Sequence, residues 1–227
     1  MNAALILSGG TGTRMGLDVP KQYVEVGGRP VISYCLDVFE GSDVVDIIVV
    51  VCSEEYKSMI RDLGYGKIKD FADPGENRQL SILSGLNVLK KYIKDDDHVI
   101  IHDAARPLVS TEMLKMISEG LERSEAVLPV LPMKDTVYET VNGKVTANLD
   151  RSRISAGQAP EGFVFGKYLK ANEALLPDRI LGISGSMQPA LLYGMDVMSI
   201  PGDEKNFKIT TQEDLKKFQD IVDRQLI

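Results

Sequence analysis

The chain has 227 residues, enough for one large α/β domain or two small ones, with 44% hydrophobic and 26% charged residues. No apolar run approaches the roughly 18 residues of a membrane span. The formal net charge of −7 excludes the basic footprint of a non-specific nucleic-acid or membrane binder. An acidic chain that holds anionic ligands must gather its cations locally, so the positions of arginine and lysine carry information.

The N-terminal run Met-Asn-Ala-Ala-Leu-Ile-Leu lacks a basic leader and enters glycines directly. It reads as a buried strand over residues 3–7, not a signal peptide. Pro30 stands where a first-turn helix proline would, and Val31, Tyr34, Cys35 and Val38 follow at helical spacing. Residues 46–52, almost all Ile and Val, predict a second strand. Ser53 starts a helix with Glu54 and Glu55 in its first turn, where acids suit the helix dipole. Ile82, Leu86 and Leu89 mark another helix. Residues 98–102 read as a strand, Thr111 as the cap of a helix to about Arg123, and residues 126–131 as a strand. Strand and helix alternate through residue 131, which predicts one doubly wound, mostly parallel sheet in a single α/β domain over 1–227.

The pattern then changes. Residues 135–141 and 144–149 flank Asn142-Gly143, the strongest two-residue hairpin signal. Their polar alternation predicts an arm, about 135–153, projecting from the sheet. Residues 197–200 read as a strand. Thr210 with Glu213 reads as a capping box opening a last helix, with Leu215, Phe218, Ile221 and Val222 inward. Cys35 and Cys52 sit in apolar surroundings without metal spacing and are expected to be buried free thiols in a reducing cytoplasm.

After the first strand the chain reads Ser8-Gly9-Gly10-Thr11-Gly12-Thr13-Arg14-Met15-Gly16. Glycines let backbone N–H groups approach a phosphate. The loop lacks the Gly-Lys-Ser/Thr of a P-loop, and Gly16 comes one residue late for a dinucleotide fingerprint. Nor does an acid end the second strand, which reads Val51-Cys52-Ser53; this argues against a dehydrogenase. Arg14 and Lys21 beside the glycines favour a phosphate site.

Four spaced motifs accompany this loop: Pro20-Lys21-Gln22; Gly75-Glu76-Asn77-Arg78 with Ser81; His102-Asp103-Ala104-Ala105-Arg106-Pro107; and Asn206-Phe207-Lys208-Ile209-Thr210. Together they resemble, over nearly the whole chain, the CTP-using methylerythritol-phosphate and ribitol-phosphate cytidylyltransferases. The resemblance implies the nucleotidyltransferase type of Rossmann-like sheet. It implies CTP held by Ser8, Gly9, Gly10, Thr11, Gly12, Gly75, Arg78, Ser81 and Ala104, and catalysis by Arg14, Lys21, Arg151 and Lys208. Thr136, Arg151, Ser184 and Lys208 would bind a polyol phosphate. Asp103, at the carboxyl edge of its strand, suits a Mg²⁺ ligand, since that ion takes one or two carboxylates plus phosphate oxygens. His102 reads as structural, because a phosphate nucleophile is already ionised. The resemblance also implies a homodimer joined through the arm, which lends Thr136 and Arg151 to the neighbour's site. No nucleic-acid or membrane partner is expected.

The departures from the family pattern fall on the acceptor side. A Gln-Thr-Pro-Gln segment is here Gln158-Ala159-Pro160-Glu161. A Thr-Asp-acid segment is here Ser184-Gly185-Ser186, and Tyr138 replaces a frequent lysine. These departures leave the acceptor open: Ser8-Gly9-Gly10-Thr11-Gly12 resembles the ribitol-phosphate enzymes more closely and Asp103-Ala104-Ala105-Arg106-Pro107 the methylerythritol-phosphate ones, and the acceptor is read as 2-C-methyl-D-erythritol 4-phosphate by a small margin. Ribitol 5-phosphate or another polyol phosphate or phosphonate is the alternative. A reading from another class is a degenerate CTP-binding protein, which the joint presence of Arg14, Lys21, Asp103 and Lys208 opposes.

Overall fold

A computed structural model describes residues 1–10 and 19–225. Strand β1 (Asn2–Leu7) lies at the centre of the fold. Successive strand side chains point to opposite faces. Ala3 and Leu5 therefore enter one buried cluster, and Ala4 and Ile6 the other. Two short antiparallel strands, β2 (Glu25–Val26) and β3 (Arg29–Pro30), precede α1 (Val31–Gly41). Pro30 is the cap of α1 and not its first-turn residue, because pairing with Glu25 keeps it extended.

The alternating half continues with β4 (Ile47–Val51), α2 (Glu54–Asp62), β5 (Ile68–Ala72) and α3 (Arg78–Leu89). Then come β6 (His98–Asp103), α4 (Thr111–Leu121) and β7 (Ala126–Pro132). The α4 cap is Ser110, whose side chain accepts the Met113 N–H, so Thr111 is the first helical residue and not the cap. Strands β8 (Val137–Val141) and β9 (Lys144–Leu149) form the separate two-stranded arm. Its turn residues Asn142 and Gly143 have φ of 49° and 76°. A type I′ hairpin turn needs positive φ at both positions.

The chain returns through β10 (Ser155–Gly157), β11 (Glu161–Val164), α5 (Phe165–Glu173), α6 (Met187–Tyr193) and β12 (Val197–Pro201). It ends in α7 (Gln212–Asp223). The capping box of α7 is Thr211 with Asp214, one residue later than the spacing of Thr210 and Glu213 suggests. Thr210 instead donates to Asp214 through both its N–H and its hydroxyl.

The strand order is β12-β7-β11-β6-β1-β4-β5, with β10 also on β7. Strands β6, β1, β4 and β5 run parallel, as do β7 and β12, while β11 inserts antiparallel between β6 and β7. Helices α3, α5 and α6 cover one face, and α1, α2 and α4 the other. On α3, a Cβ at Gly85 would stand 2.3 Å from Leu5 Cδ1, so a glycine is what lets the helix approach β1 closely. A third cluster joins Phe218 of α7 to Val26, Val31 and Ile209. Cys35 and Cys52 are free and fully buried, and burial pushes both thiols up to about 12. Among the described residues no helix is long and apolar enough to cross a membrane.

Candidate active site

Parallel strands end side by side, and in open α/β sheets their carboxyl ends line the ligand crevice. Here β1 ends at Leu7, before Ser8, and β6 ends at Asp103. The two continue paired beyond the strands, as Ala104 N–H donates to the Leu7 carbonyl at 3.0 Å. Thr11, Gly12 and Arg14 lie outside the described residues.

The described start of the glycine loop is held by side chains just downstream. Gln22 Nε2 donates to the carbonyls of Ser8 and Gly10, each at 2.7 Å. Tyr23 Oη donates to the Ser8 carbonyl at 2.9 Å and accepts from Ser8 Oγ at 2.7 Å. Both side chains are buried in the 3₁₀ turn Lys21–Tyr23, which carries Lys21 at its start. The segment Pro20-Lys21-Gln22 thus carries more than its lysine. Gln22 and Tyr23 orient carbonyls of the loop, a role that no local pattern announces. Gly9 lies against Pro74, where a Cβ would stand 2.5 Å from the proline Cβ. This brings the loop beside the 75–81 segment.

In that segment Asn77 caps α3 by accepting the Leu80 N–H at 2.8 Å. Ser81 Oγ accepts from Gly75 N–H at 3.0 Å and donates to the Asn77 carbonyl at 2.9 Å. The hydroxyl of Ser81 thus shapes the Gly75 turn. Arg78, on the first turn of α3, reaches across to β6.

Asp103 is the centre of the charged cluster. Arg78 donates to its Oδ1 from Nε at 3.2 Å and from Nη2 at 3.1 Å. Lys208 Nζ donates to Oδ2 at 2.8 Å, and Arg106 Nε lies 3.8 Å from the same oxygen. Burial alone would raise this carboxyl, but Arg78 and Lys208 outweigh it and hold it well below the usual carboxylate range. The cluster therefore presents an ionised aspartate within a ring of cations. Arg106 is anchored through Nη1 to the Asn206 carbonyl at 2.8 Å, which ties the ends of two motifs together.

His102 points away from this chemistry. It is fully buried, and its Nε2 lies 2.9 Å from the Arg106 carbonyl, to which that nitrogen's proton is donated. Burial pushes it down to about 4, so it is neutral at physiological pH. This matches the structural role read from the sequence.

The acceptor-side residues divide. Ser184 is exposed, and its N–H donates to Gln188 Oε1 at 3.1 Å. Two residues on, Ser186 is buried and its Oγ donates to Glu161 Oε2. Thr136 and Arg151 stand at the base of the arm, both exposed, with Arg151 Nη1 donating to the Lys134 carbonyl at 2.6 Å. Among the described residues neither bonds to a member of the Asp103 cluster. Glu161 went unmarked in the sequence except as a departure, yet it stands 4.0 Å from Arg78 Nη2.

A glycine loop and a cation-ringed aspartate at the carboxyl edge of such a sheet define a nucleotidyltransferase. The family model described as "IspD: 2-C-methyl-D-erythritol 4-phosphate cytidylyltransferase" matches residues 2–224. The chain is 34% identical over 217 residues to 2-C-methyl-D-erythritol 4-phosphate cytidylyltransferase of Geobacter metallireducens, covering 93% of both chains. It is 30% identical over 229 residues to ribitol-5-phosphate cytidylyltransferase of Streptococcus agalactiae, covering 98% of this chain and 96% of that one. The crystal structure of Francisella tularensis 2-C-methyl-D-erythritol 4-phosphate cytidylyltransferase superposes with a TM-score of 0.82 at 26% identity, over 96% of this chain and 99% of the other. The chain belongs to the 2-C-methyl-D-erythritol 4-phosphate cytidylyltransferase (IspD) family, and it is a CTP-dependent cytidylyltransferase.

Proposed function

We propose that this single-domain enzyme joins CTP to 2-C-methyl-D-erythritol 4-phosphate, giving the CDP-polyol and pyrophosphate. The observation that carries the reading is the convergence of Arg78, Lys208 and Arg106 on Asp103 beside the glycine loop. A phosphate oxygen of the acceptor attacks the α-phosphorus in line. A new P–O bond forms as the α–β bridging bond breaks, and that bridging oxygen leaves with the pyrophosphate. The nucleophile is ionised, so positioning and charge stabilisation supply most of the rate.

In this reading Ser8, Gly9, Gly10, Thr11 and Gly12 cradle the triphosphate, and Arg14 and Lys21 stabilise charge at the α-phosphorus. Gly75, Arg78, Ser81 and Ala104 surround the nucleoside. Lys208 and Ser184, with Thr136 and Arg151 from the partner's arm, hold the acceptor phosphate. Asp103 fits as a Mg²⁺ ligand. Its two oxygens accept from Arg78 and Lys208 and keep further lone pairs, and an ion that completes its shell with phosphate oxygens needs only one such carboxylate. Bound there, Mg²⁺ supplies positive charge against the triphosphate. Among the described residues no group of three or more His, Cys, Asp or Glu forms a separate metal cage.

Ribitol 5-phosphate is the second reading, favoured by relatives of that name at 30% and 33% identity. Steady-state kcat/KM for a panel of polyol phosphates with CTP, read by pyrophosphate release, separates the two. The expected order places methylerythritol phosphate first. A higher value for ribitol phosphate reverses the assignment, and no release with any polyol phosphate overturns the reading.

A further inference from the structure

One buried carboxylate next to the cluster takes no part in the steps above. Glu161 opens β11 and is only 7% exposed. Its Oε2 accepts from Ser186 Oγ and faces Arg78 Nη2 at 4.0 Å, while that same nitrogen donates to Asp103 at 3.1 Å. Arg78 therefore stands between two carboxylates. Burial raises the Glu161 carboxyl to about 7, and the facing Arg78 guanidinium opposes that rise.

The contact continues into the core. The Ser186 carbonyl accepts from Tyr168 Oη at 2.7 Å, and Gln79 Nε2 donates to that Oη at 3.1 Å and also to Asn172 Oδ1. Gln79, Tyr168, Asn172, Ser186 and Glu161 are all buried. Such a network fixes geometry when each member is satisfied. Ser186 is its link to the 184–186 loop, where Gly185 has no side chain and Ser184 is exposed.

Glu161 and Ser186, separated by 25 residues, meet at this contact. A neutral side chain could hold the Ser186 hydroxyl equally well. What the carboxylate adds is charge facing Arg78.

We propose that Glu161 is a positioning residue for the acceptor: it anchors the 184–186 loop through Ser186 and, through Arg78, registers that loop against Asp103. The proposal rests on the functional reading above; Asp103 hydrogen-bonds Arg78 and Glu161 only faces it at 4.0 Å, so the effect of Glu161 falls on the acceptor half. Its test uses the full-length enzyme, CTP, and the polyol phosphate that the wild type turns over best. Glu161→Gln is expected to raise the acceptor KM roughly tenfold, the scale of coupling through an intermediary side chain. The kcat should stay within a few-fold, and the CTP Kd measured by calorimetry within about threefold. Adding Ser186→Asp to Glu161→Gln moves the carboxylate across the contact and is expected to recover most of the acceptor KM. Ser186→Ala is expected to reproduce the defect with Glu161 intact, and serves if Glu161→Gln does not fold. An unchanged acceptor KM in both single variants overturns the proposal, as does a parallel loss of CTP affinity or a double variant no better than Glu161→Gln. A wild type that turns over no polyol phosphate overturns the functional reading itself; normal wild-type turnover beside unchanged variants overturns this inference alone.

Discussion

Lys208 and Asp103 are 105 residues apart in the chain, and the lysine Nζ donates to the aspartate Oδ2 at 2.8 Å. The ion pair places a cation from the segment before α7 at the carboxyl end of β6. Arg78 donates twice to the other oxygen, Oδ1, so Lys208 can turn toward an incoming phosphate without leaving the carboxylate unpaired. Lys208→Ala is therefore expected to lower acceptor kcat/KM by roughly 10²-fold or more, since about 3 kcal/mol is typical of one transition-state donor. CTP should still raise the melting temperature of the variant. Unchanged acceptor kinetics would remove Lys208 from the site.

Nucleotide choice is expected to reside in the Gly75 turn, which Ser81 ties to Asn77 and which follows Pro74, the residue packed against Gly9. With Mg²⁺ present, CTP should raise the melting temperature more than ATP, GTP or UTP. By linkage a ligand at about 100 times its Kd adds about 2.7 kcal/mol. Thermal shifts of equal size for all four nucleotides would place base recognition elsewhere.

The arm exposes Tyr138, Val141 and Val145, and a two-stranded ribbon by itself is marginal in water. Pairing with a second copy would cover these side chains and bring Thr136 and Arg151 to the partner's site. Mass measurement in solution is expected to give a dimer. Mixing inactive Lys208→Ala with inactive Arg151→Ala subunits should restore part of the activity in shared sites. A fully active monomer would sink this arrangement.

At the other end of the chain, Asp214 Oδ2 accepts from Thr210 N–H, Thr210 Oγ1 and Thr211 N–H. Partial burial would raise its carboxyl, but the bonds from Thr210 and Thr211 outweigh this and lower it to about 2. A carboxyl depressed in the folded state stabilises above its unfolded value of about 3.9 and loses that contribution as pH falls toward about 2. Asp214→Asn is expected to cost about 1 kcal/mol at pH 7, a typical cap loss. Urea titrations should show the gap to wild type narrowing below about pH 4. A gap independent of pH would mean that the charge contributes nothing to the cap.

Gly185 has no atom within 4 Å of the place where a Cβ would stand, so a side chain fits there. Gly185→Asp should change stability by no more than about 0.5 kcal/mol, as at other open surface positions. It places a charged acceptor beside Ser184 and is expected to shift the ratio of kcat/KM between methylerythritol phosphate and ribitol phosphate by roughly tenfold or more. An unchanged ratio would show that this position does not read the acceptor's hydroxyls.

Local chemistry was enough to read the elements whose signals are local. The β1 run ending in glycines, the Ile/Val run of β4 and the Asn142-Gly143 turn each state their conformation within a few residues. Binary patterning likewise placed α1 and α3, because an apolar stripe at helical spacing has one way to be buried, and cap and first-turn signals placed α2 and α4. Cap registers at Ser110 and Thr211 differed by one residue from the reading, because adjacent Ser and Thr offer equivalent hydroxyls and only backbone geometry chooses between them. Strand β5, with Lys69 and Asp70 in five residues, and the short β10 and β11 carry no such signal; they are strands because a neighbouring edge supplies their hydrogen bonds. The motifs singled out Asp103, Arg78 and Lys208, but not their pairing, since no local rule connects positions 25 and 105 residues apart. Only the folded chain brings Glu161 against Ser186 and turns two separate departures into one contact, because burial forces a carboxylate to find its partner wherever the fold puts one.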